Sequence, residues 1–295
     1  MTAKSSTVVL CFHVIGNTKN IIYPAIPIDV FTRLLNYVER NFEIVPLQKI
    51  KEPLSSKKPR LVLSFDDGDW EFMTNVLPLL KSREIPSVQS IITESADTGK
   101  IPWPHRYNGL MESKMHEESL KEVVFESESF KIRGTGKNSI REVNRLFQRM
   151  LIADPATVEV FLNDLSNEAE INASKMMDWE SIRLCLKSDV EIASHTTTHS
   201  ILTSIQSEDQ LSDEIVGSKK ILEKQLGTSI NAITFPNGKY NNKIVDECRK
   251  AGYEWLLGTE VGFVKDHSTV LPRIPMNSTS FYELVFKIYR GLWPS

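Results

Sequence analysis

The chain has 295 residues, 41% of them apolar and 25% charged, the balance of a globular chain rather than a disordered one. A formal charge of −3 supplies no basic face of the kind that nucleic acid requires, so no nucleic-acid partner is expected. Three cysteines, Cys11, Cys185 and Cys248, are odd in number and widely spaced, a pattern of reduced core thiols and not of a disulfide framework.

Residues 1–16 carry one lysine and an apolar run of only 8–12, too short for a secretory signal core. No stretch approaches the ~18 apolar residues of a membrane span. The expectation is a cytoplasmic protein with a single domain over 1–295, a length that one large α/β core can fill.

In chain order, short apolar runs alternate with helical patterns, which predicts βα units around a parallel sheet. Thr7–Phe12 reads as a buried strand, followed by a helix capped by Asp29 and carrying Phe31, Leu34, Leu35 and Val38. Residues 61–65 read as a second strand, ahead of a helix with Phe72, Val76, Leu79 and Leu80. Further strands are predicted at 86–92, 190–193, 232–235 and 254–257. Ser207 and Gln210 make a capping box for a helix that runs to Leu226, and Gly227 stands where a C-terminal cap glycine belongs.

From about His105 to Asp178 the alternation stops. Segment 105–175 is charged, helix-patterned and thin in apolar residues, and is expected to be a helical insertion over the barrel. It should cover the mouth and set substrate choice while affecting metal binding little. Residues 281–293 have the spacing of a core helix that closes the barrel. Lys287 and Arg290 near its aromatic end give a second reading, contact with a membrane surface.

Two clusters carry chemistry. Ser64-Phe65-Asp66-Asp67-Gly68 follows a strand directly, at the end where parallel α/β folds gather catalytic groups. Adjacent carboxylates there diverge, so one can ligate a cation while its neighbour takes a proton; an Asp-Asp-Gly turn that caps a helix is the plainer alternative. His195 and His199 follow another predicted strand, and on a helical turn this i, i+4 spacing would present both imidazoles to one ion. Two imidazoles and one carboxylate leave positions open for water and substrate, the ligand count of a catalytic site.

Phe65-Asp66-Asp67-Gly68 and His195-Thr196-x-x-His199 resemble the first two motifs of the polysaccharide deacetylases, the NodB-homology or carbohydrate esterase 4 family. The likeness continues through Leu77-Pro78-Leu79-Leu80-Lys81 with Ile85-Pro86, through Trp179 and Glu191-Ile192-Ala193-Ser194, and through Phe235-Pro236-Asn237-Gly238-Lys239-Tyr240. Ala251-Gly252-Tyr253 and Leu271-Pro272-Arg273-Ile274-Pro275 extend it to most of the chain outside the insertion.

The resemblance implies a distorted (β/α)7 barrel in which Asp67, His195 and His199 hold a divalent metal and Asp66 is the general base. Zn2+ is the expected ion, and Co2+, Ni2+ or Fe2+ would fit a similar donor set. Asn237 would offer a backbone N–H to an oxyanion, Gly238 would let that backbone approach, and Tyr240 and Trp103 would contact substrate. Trp103 and Tyr107 could stack on a sugar face, or serve as a packing lid.

Two departures from the family pattern stand out. The third-motif arginine would fall at Thr234, and Arg273 is the substitute expected to orient the base. The late Leu-x-His that supplies a general acid is absent, and His267 sits in a polar loop. His13, at the end of the first strand, resembles the Tyr-His of a branch whose motif strands are circularly permuted, and is the expected acid.

The resulting expectation is a metal-dependent hydrolase that removes an N-acetyl group from an amino sugar in cytosolic surface-glycan biosynthesis. Its substrate would be nucleotide-linked, lipid-linked or an oligosaccharide. Deformylation or another C–N hydrolysis on a small molecule stays open, as does a non-catalytic carbohydrate-binding barrel.

Overall fold

Thr7–Phe12, with every residue buried, forms β1 in the computed structural model, which describes residues 7–16, 24–52, 57–116, 120–166, 175–265 and 267–292. Helix α1 (Ile28–Asn41) buries Val30, Phe31, Leu34, Leu35 and Val38 on one face. Its N-cap is Pro27 and not the expected Asp29, which lies in the first turn. There its charge still complements the positive helix end. After the two-residue β2 (Glu43–Ile44) comes β3 (Arg60–Phe65), again wholly buried. The next helix opens as a widened π turn, Phe72–Val76, before α2 (Leu77–Ser82). Pro78 has no N–H to continue the α ladder, which accounts for the widening just ahead of it.

β4 (Ser87–Ile91), α3 (Thr93–Thr98) and α4 (Trp103–His116) follow. The expected helical insertion contains an antiparallel hairpin, β5 (Lys121–Phe125) and β6 (Glu128–Ile132). Its tight turn places Glu126 and Ser127 at φ 47° and 68°, where strand twist favours left-handed residues. α5 (Lys137–Met150) and α6 (Pro155–Ser166) complete the segment. It is less thin than it reads. Tyr107, Leu110, Phe130, Ile132, Leu146 and Phe147 belong to a buried cluster separate from the barrel core.

The chain continues with α7 (Trp179–Leu186) and β7 (Val190–Ser194). Next come α8 (Glu208–Ser212), a π turn at Asp213–Gly217 and α9 (Ser218–Leu226). Ser207 caps α8 through Gln210 N–H, and Gly227 ends α9 in the left-handed conformation, both as expected. β8 (Ala232–Thr234), α10 (Asn242–Lys250), β9 (Trp255–Leu257), β10 (Ile274–Pro275) and α11 (Phe281–Leu292) finish the fold.

All sheet pairings among β1–β4 and β7–β10 are parallel, in the order β10-β1-β3-β4-β7-β8-β9, with β2 beside the start of β3. A bridge from Leu257 to Leu271 curls the far edge back toward β10. The result is a curled parallel sheet wrapped by helices, the distorted (β/α) barrel that the motifs implied. Alternation divides each strand. Leu61, Leu63 and Phe65 face the surrounding helices, while Val9, Val62, Val88 and Ala193 pack inside the barrel.

α11 buries Leu284, Ile288, Gly291 and Leu292, with Gly291 packed close to Ile274 of β10, as expected for a closing helix. Tyr282 and Phe286 are exposed on its outer side. Trp293, part of the predicted membrane-contact stretch, lies outside the described residues. No described helix is long and apolar enough to cross a membrane. All three cysteines are free and buried.

Candidate active site

β3 delivers the two aspartates. Asp66 is still on the ladder, its N–H bonded to Phe12 O at 2.9 Å, and then Asp67 and Gly68 turn left-handed at φ 74° and 78°. This conformation is costly for a residue with a Cβ and re-aims the second carboxylate away from the first.

β7 delivers the two histidines, but not on a helical turn. Thr196 and His199 lie at φ 67° and 62° in a loop. The N–H groups of Thr197 and Thr198 donate to the buried Glu214 at 2.9 and 3.0 Å instead of entering a helix ladder. The loop carbonyls of Thr196 and Thr197 accept from Thr93 and Glu94 at the start of α3, at 3.2 and 2.9 Å. So His195 and His199 meet by loop geometry, with ring centroids 4.7 Å apart.

The Asp67 Oδ1 atom lies 3.3 Å from His195 Nε2 and 3.5 Å from His199 Nε2. It is buried and has no hydrogen-bond partner among the described residues. His195 Nδ1 is 2.9 Å from the Thr234 carbonyl, which can only accept, so Nδ1 carries a proton and Nε2 is the nitrogen left to ligate once His195 is neutral. Burial and the neighbouring His195 push His199 down to about 3, which leaves it neutral. Burial would raise Asp67, but the hydrogen bond from His105 and the closeness of His195 and His199 hold it well below the usual carboxylate range. Ligand atoms of Asp67, His195 and His199 lie within 4.8 Å of one another. One unpartnered carboxylate oxygen and two imidazole nitrogens converging in a buried pocket fit a divalent cation, which would take the place of the His195 proton.

Asp66 faces a different partner. Arg273, wholly buried, donates from Nη1 to Oδ1 and from Nη2 to Oδ2, each at 2.8 Å. Nη1 also reaches Ser64 Oγ at 2.8 Å and Nε reaches Gly258 O at 2.7 Å. Burial pushes the Asp66 carboxyl up, but the Arg273 charge overcomes it and holds the group well below its ordinary value. Thr234, where the family pattern has arginine, instead accepts from His195 through its carbonyl and bonds Ser90 Oγ through its hydroxyl at 2.8 Å.

Cys11, His13 and Asp66 form a second group of ligand-type atoms within 4.8 Å of one another. With both Asp66 oxygens bonded to a guanidinium, that group is poorly suited to a cation. His13 is half-buried just beyond β1, and burial lowers its pKa against the pull of Asp67 and Asp66.

These groups share one cavity of about 120 Å3. The barrel contributes Cys11, His13, Asp66, Asp67, His195 and His199, and the insertion contributes His105, Asn108, Phe147 and Leu151. Asn237 and Gly238 also line it, both left-handed, at φ 51° and 66°. A Cβ on Gly238 would come within 1.8 Å of Thr259 Oγ1, so the loop needs glycine twice over. Tyr240 is not among the lining residues; its ring stacks on Phe235 with centroids 5.1 Å apart, and its hydroxyl bonds Glu260. Packing has taken the ring expected for substrate.

Trp103 lines the cavity, yet it is buried, stacks on Phe147 at 5.3 Å and donates Nε1–H to the His199 carbonyl at 3.2 Å. Tyr107 is wholly buried, its hydroxyl bonded to Val143 O at 2.6 Å, and is a core residue rather than a sugar platform. His267 is exposed. One residue was missed at the sequence level: His105 Nε2 lies 2.9 Å from Asp67 Oδ2. Its sequence context, Pro102-Trp103-Pro104-His105, gave no ligand-type spacing to any other histidine.

A curled parallel barrel with an Asp pair after one strand and a His pair after another defines the carbohydrate deacetylase class of hydrolases. The chain belongs to the polysaccharide deacetylase family, whose profile matches residues 54–256. Its fold is similar to that of the Streptococcus pyogenes deacetylase PplD in complex with acetate, at 16% identity and a TM-score of 0.65, over 99% of this chain and 100% of that one. It is similar also to BC0361, a polysaccharide deacetylase from Bacillus cereus, at 16% identity and a TM-score of 0.63, over 96% and 69% of the two chains. The de-N-acetylase from Aggregatibacter actinomycetemcomitans is another, at 16% identity and a TM-score of 0.61, over 96% and 100%. No curated protein matches the sequence.

Proposed function

We propose that this deacetylase is metal-dependent and removes an N-acetyl group from an amino sugar, using Asp66 and His13 to move protons and Arg273 to orient Asp66. The observation that carries the reading is the convergence of Asp67, His195 and His199 in the cavity that also holds the Asp66–Arg273 pair and His13. Asp67, His195 and His199 would hold a divalent ion, Zn2+ by donor type, which polarises an amide carbonyl and acidifies water when bound.

Asp66 is the base that takes the proton of the attacking water. Arg273 fixes both its oxygens and keeps it ionised, while lowering its basicity. Asp66 therefore passes the proton on rather than keeping it. His13 receives it and delivers it to the departing amine as the C–N bond breaks, leaving acetate and a free amino sugar. The Asn237 N–H is the donor proposed for the developing oxyanion, on a loop that Gly238 permits.

Arg273 also weakens the rival reading of a binding-only barrel, since it restores the arginine–aspartate partnership that Thr234 removes from the third motif. A nucleotide-linked, lipid-linked or free oligosaccharide all present the same N-acetyl group. Three buried free thiols favour a reducing, cytoplasmic setting for biosynthesis of a surface glycan. The test is metal analysis of the purified protein paired with acetate release from a panel of nucleotide-linked, lipid-linked and oligomeric N-acetyl sugars. Acetate release that chelation abolishes and Zn2+ restores supports the proposal; release that survives complete metal removal refutes it.

A further inference from the structure

The first turn of α4 touches two residues of the metal site, which come from two different strands. Trp103 Nε1–H donates to the His199 carbonyl at 3.2 Å, and His105 Nε2 lies 2.9 Å from Asp67 Oδ2. An ionised carboxylate can only accept, so His105 carries its proton on Nε2 and is the donor. Its other nitrogen, Nδ1, faces the Asp69 carboxylate at 4.0 Å. Both histidine side chain and carboxylate are well covered, with side-chain exposures of 10% and 8%.

Asp67 therefore has two distinct oxygens. Oδ1 looks toward His195 and His199, and Oδ2 is held by His105. Rotating the carboxyl would break that bond and turn Oδ1 off the imidazoles. His105 is not in the set of ligand atoms that lie within 4.8 Å of one another, so its geometry is that of a support and not of a fourth ligand. Behind it, α4 is anchored by the insertion's own core through Tyr107, Leu110 and Met111.

We propose that His105 is a positioning residue that orients Asp67 toward the metal, so that the inserted segment sets metal affinity as well as lining the cavity. The inference rests on the metal reading of Asp67, His195 and His199. It departs from the expectation that the insertion governs substrate choice with little effect on metal binding.

The test is Zn2+ affinity by chelator competition on the full chain, with Co2+ spectra as a report on the ligand set. His105→Ala should weaken Zn2+ binding about 10–100-fold, the usual effect of removing an outer-shell partner. His105→Gln, whose amide nitrogen can still donate to Oδ2 but ligates poorly, should recover most of that loss and keep the wild-type Co2+ spectrum. A merely structural role would shift thermal unfolding of the metal-free proteins without separating Ala from Gln in affinity. Unchanged affinity in His105→Ala overturns the proposal. So does a His105→Gln variant as weak as Ala with an altered Co2+ spectrum, which would make His105 a ligand. Wild-type protein that binds neither ion overturns the metal reading itself, and the proposal with it.

Discussion

Arg273 and Asp66 stand 207 positions apart in the chain and are joined by two hydrogen bonds of 2.8 Å in a buried, two-pronged ion pair. Such a pair is hard to break from one side, because the surviving charge stays buried without compensation. Asp66→Asn should therefore cost about 3–5 kcal/mol of stability in addition to its effect on turnover. Asp66→Asn combined with Arg273→Met should recover much of the stability and none of the activity. Urea unfolding of the three proteins checks the first claim and acetate release the second. A single mutant as stable as wild type would show that the pair is compensated in some other way.

The same pair gives a pH dependence with a definite sign. The Asp66 carboxyl is held well below its ordinary value of ~3.9 by Arg273 against the cost of burial. Its contribution is thus fully present above about pH 4 and is lost as pH falls through the depressed folded value. In unfolding curves taken from about pH 6 down to pH 2, the double mutant should lose less stability than wild type below pH 4. Parallel acid sensitivity in the two proteins would assign the effect to other carboxylates.

Metal binding should have its own pH dependence. In the metal-free protein burial would lower His195, but its contact with Asp67 and the nearby Asp66 charge raise it above its ordinary value. An ion must displace that proton, so affinity should climb as pH rises through and above about 6.5, then level once His195 is neutral. His195→Ala and His199→Ala should lose the ion, whereas Asp66→Asn should keep it. Zn2+ titrations across this range decide the matter. An affinity indifferent to pH would argue against His195 as a ligand, and loss of metal in Asp66→Asn with retention in Asp67→Asn would reverse the roles of the pair.

Gly238→Ala combines a left-handed backbone with a contact of 1.8 Å to Thr259 Oγ1, so the 236–238 loop has to move. Strain of this type costs about 1–3 kcal/mol. If the Asn237 N–H serves the oxyanion, the shift should lower kcat with KM and metal content nearly unchanged. A variant that loses stability but keeps kcat would reduce the loop to a structural turn.

The parts of this fold that could be read from sequence are those whose physics is local. β1 and β3 are six-residue runs buried on both faces, and Ser207 and Gly227 mark their helix ends by side-chain type. β2 and β10 are two residues each, too short to leave a pattern. The β5–β6 hairpin was hidden because its turn is Glu126-Ser127 rather than a glycine pair, and its outward face is charged enough to resemble a helix surface. At the site, Asp66, Asp67, His195 and His199 stand out because each pair sits beside a strand end. Arg273 could be singled out only because Thr234 left an arginine missing. Nothing in the spacing of His105 links it to Asp67, since that contact depends on where α4 starts. Nor could spacing show that Tyr240 would stack on Phe235 or that Trp103 would pack on Phe147.

His13 carries the most exposed prediction. It lines the same cavity as Asp67, His195 and His199, and ligand-type atoms of His13 and Asp66 lie within 4.8 Å of each other. Burial lowers its pKa, so at neutral pH the free protein holds it uncharged, ready to receive a proton rather than already carrying one. Arg273 holds Asp66 below its ordinary value, so in the proposed relay Asp66 gives up the proton of the attacking water and His13 is the group placed to receive it. An amide needs that proton, because its nitrogen must leave as an amine, whereas an activated aryl ester expels a leaving group that is stable without it. His13→Ala should therefore lower kcat strongly, about 100-fold or more, for an N-acetyl sugar, with metal content intact. The loss should shrink markedly for the aryl ester. With metal saturating, wild-type kcat should also stay level as pH falls past about 6.5, since a lowered pKa keeps His13 neutral to more acidic pH. Parallel kinetics on both substrates across pH would check the two claims together. Equal losses for amide and ester would make His13 a packing residue, and the proton for the amine would then have to come from elsewhere in the cavity.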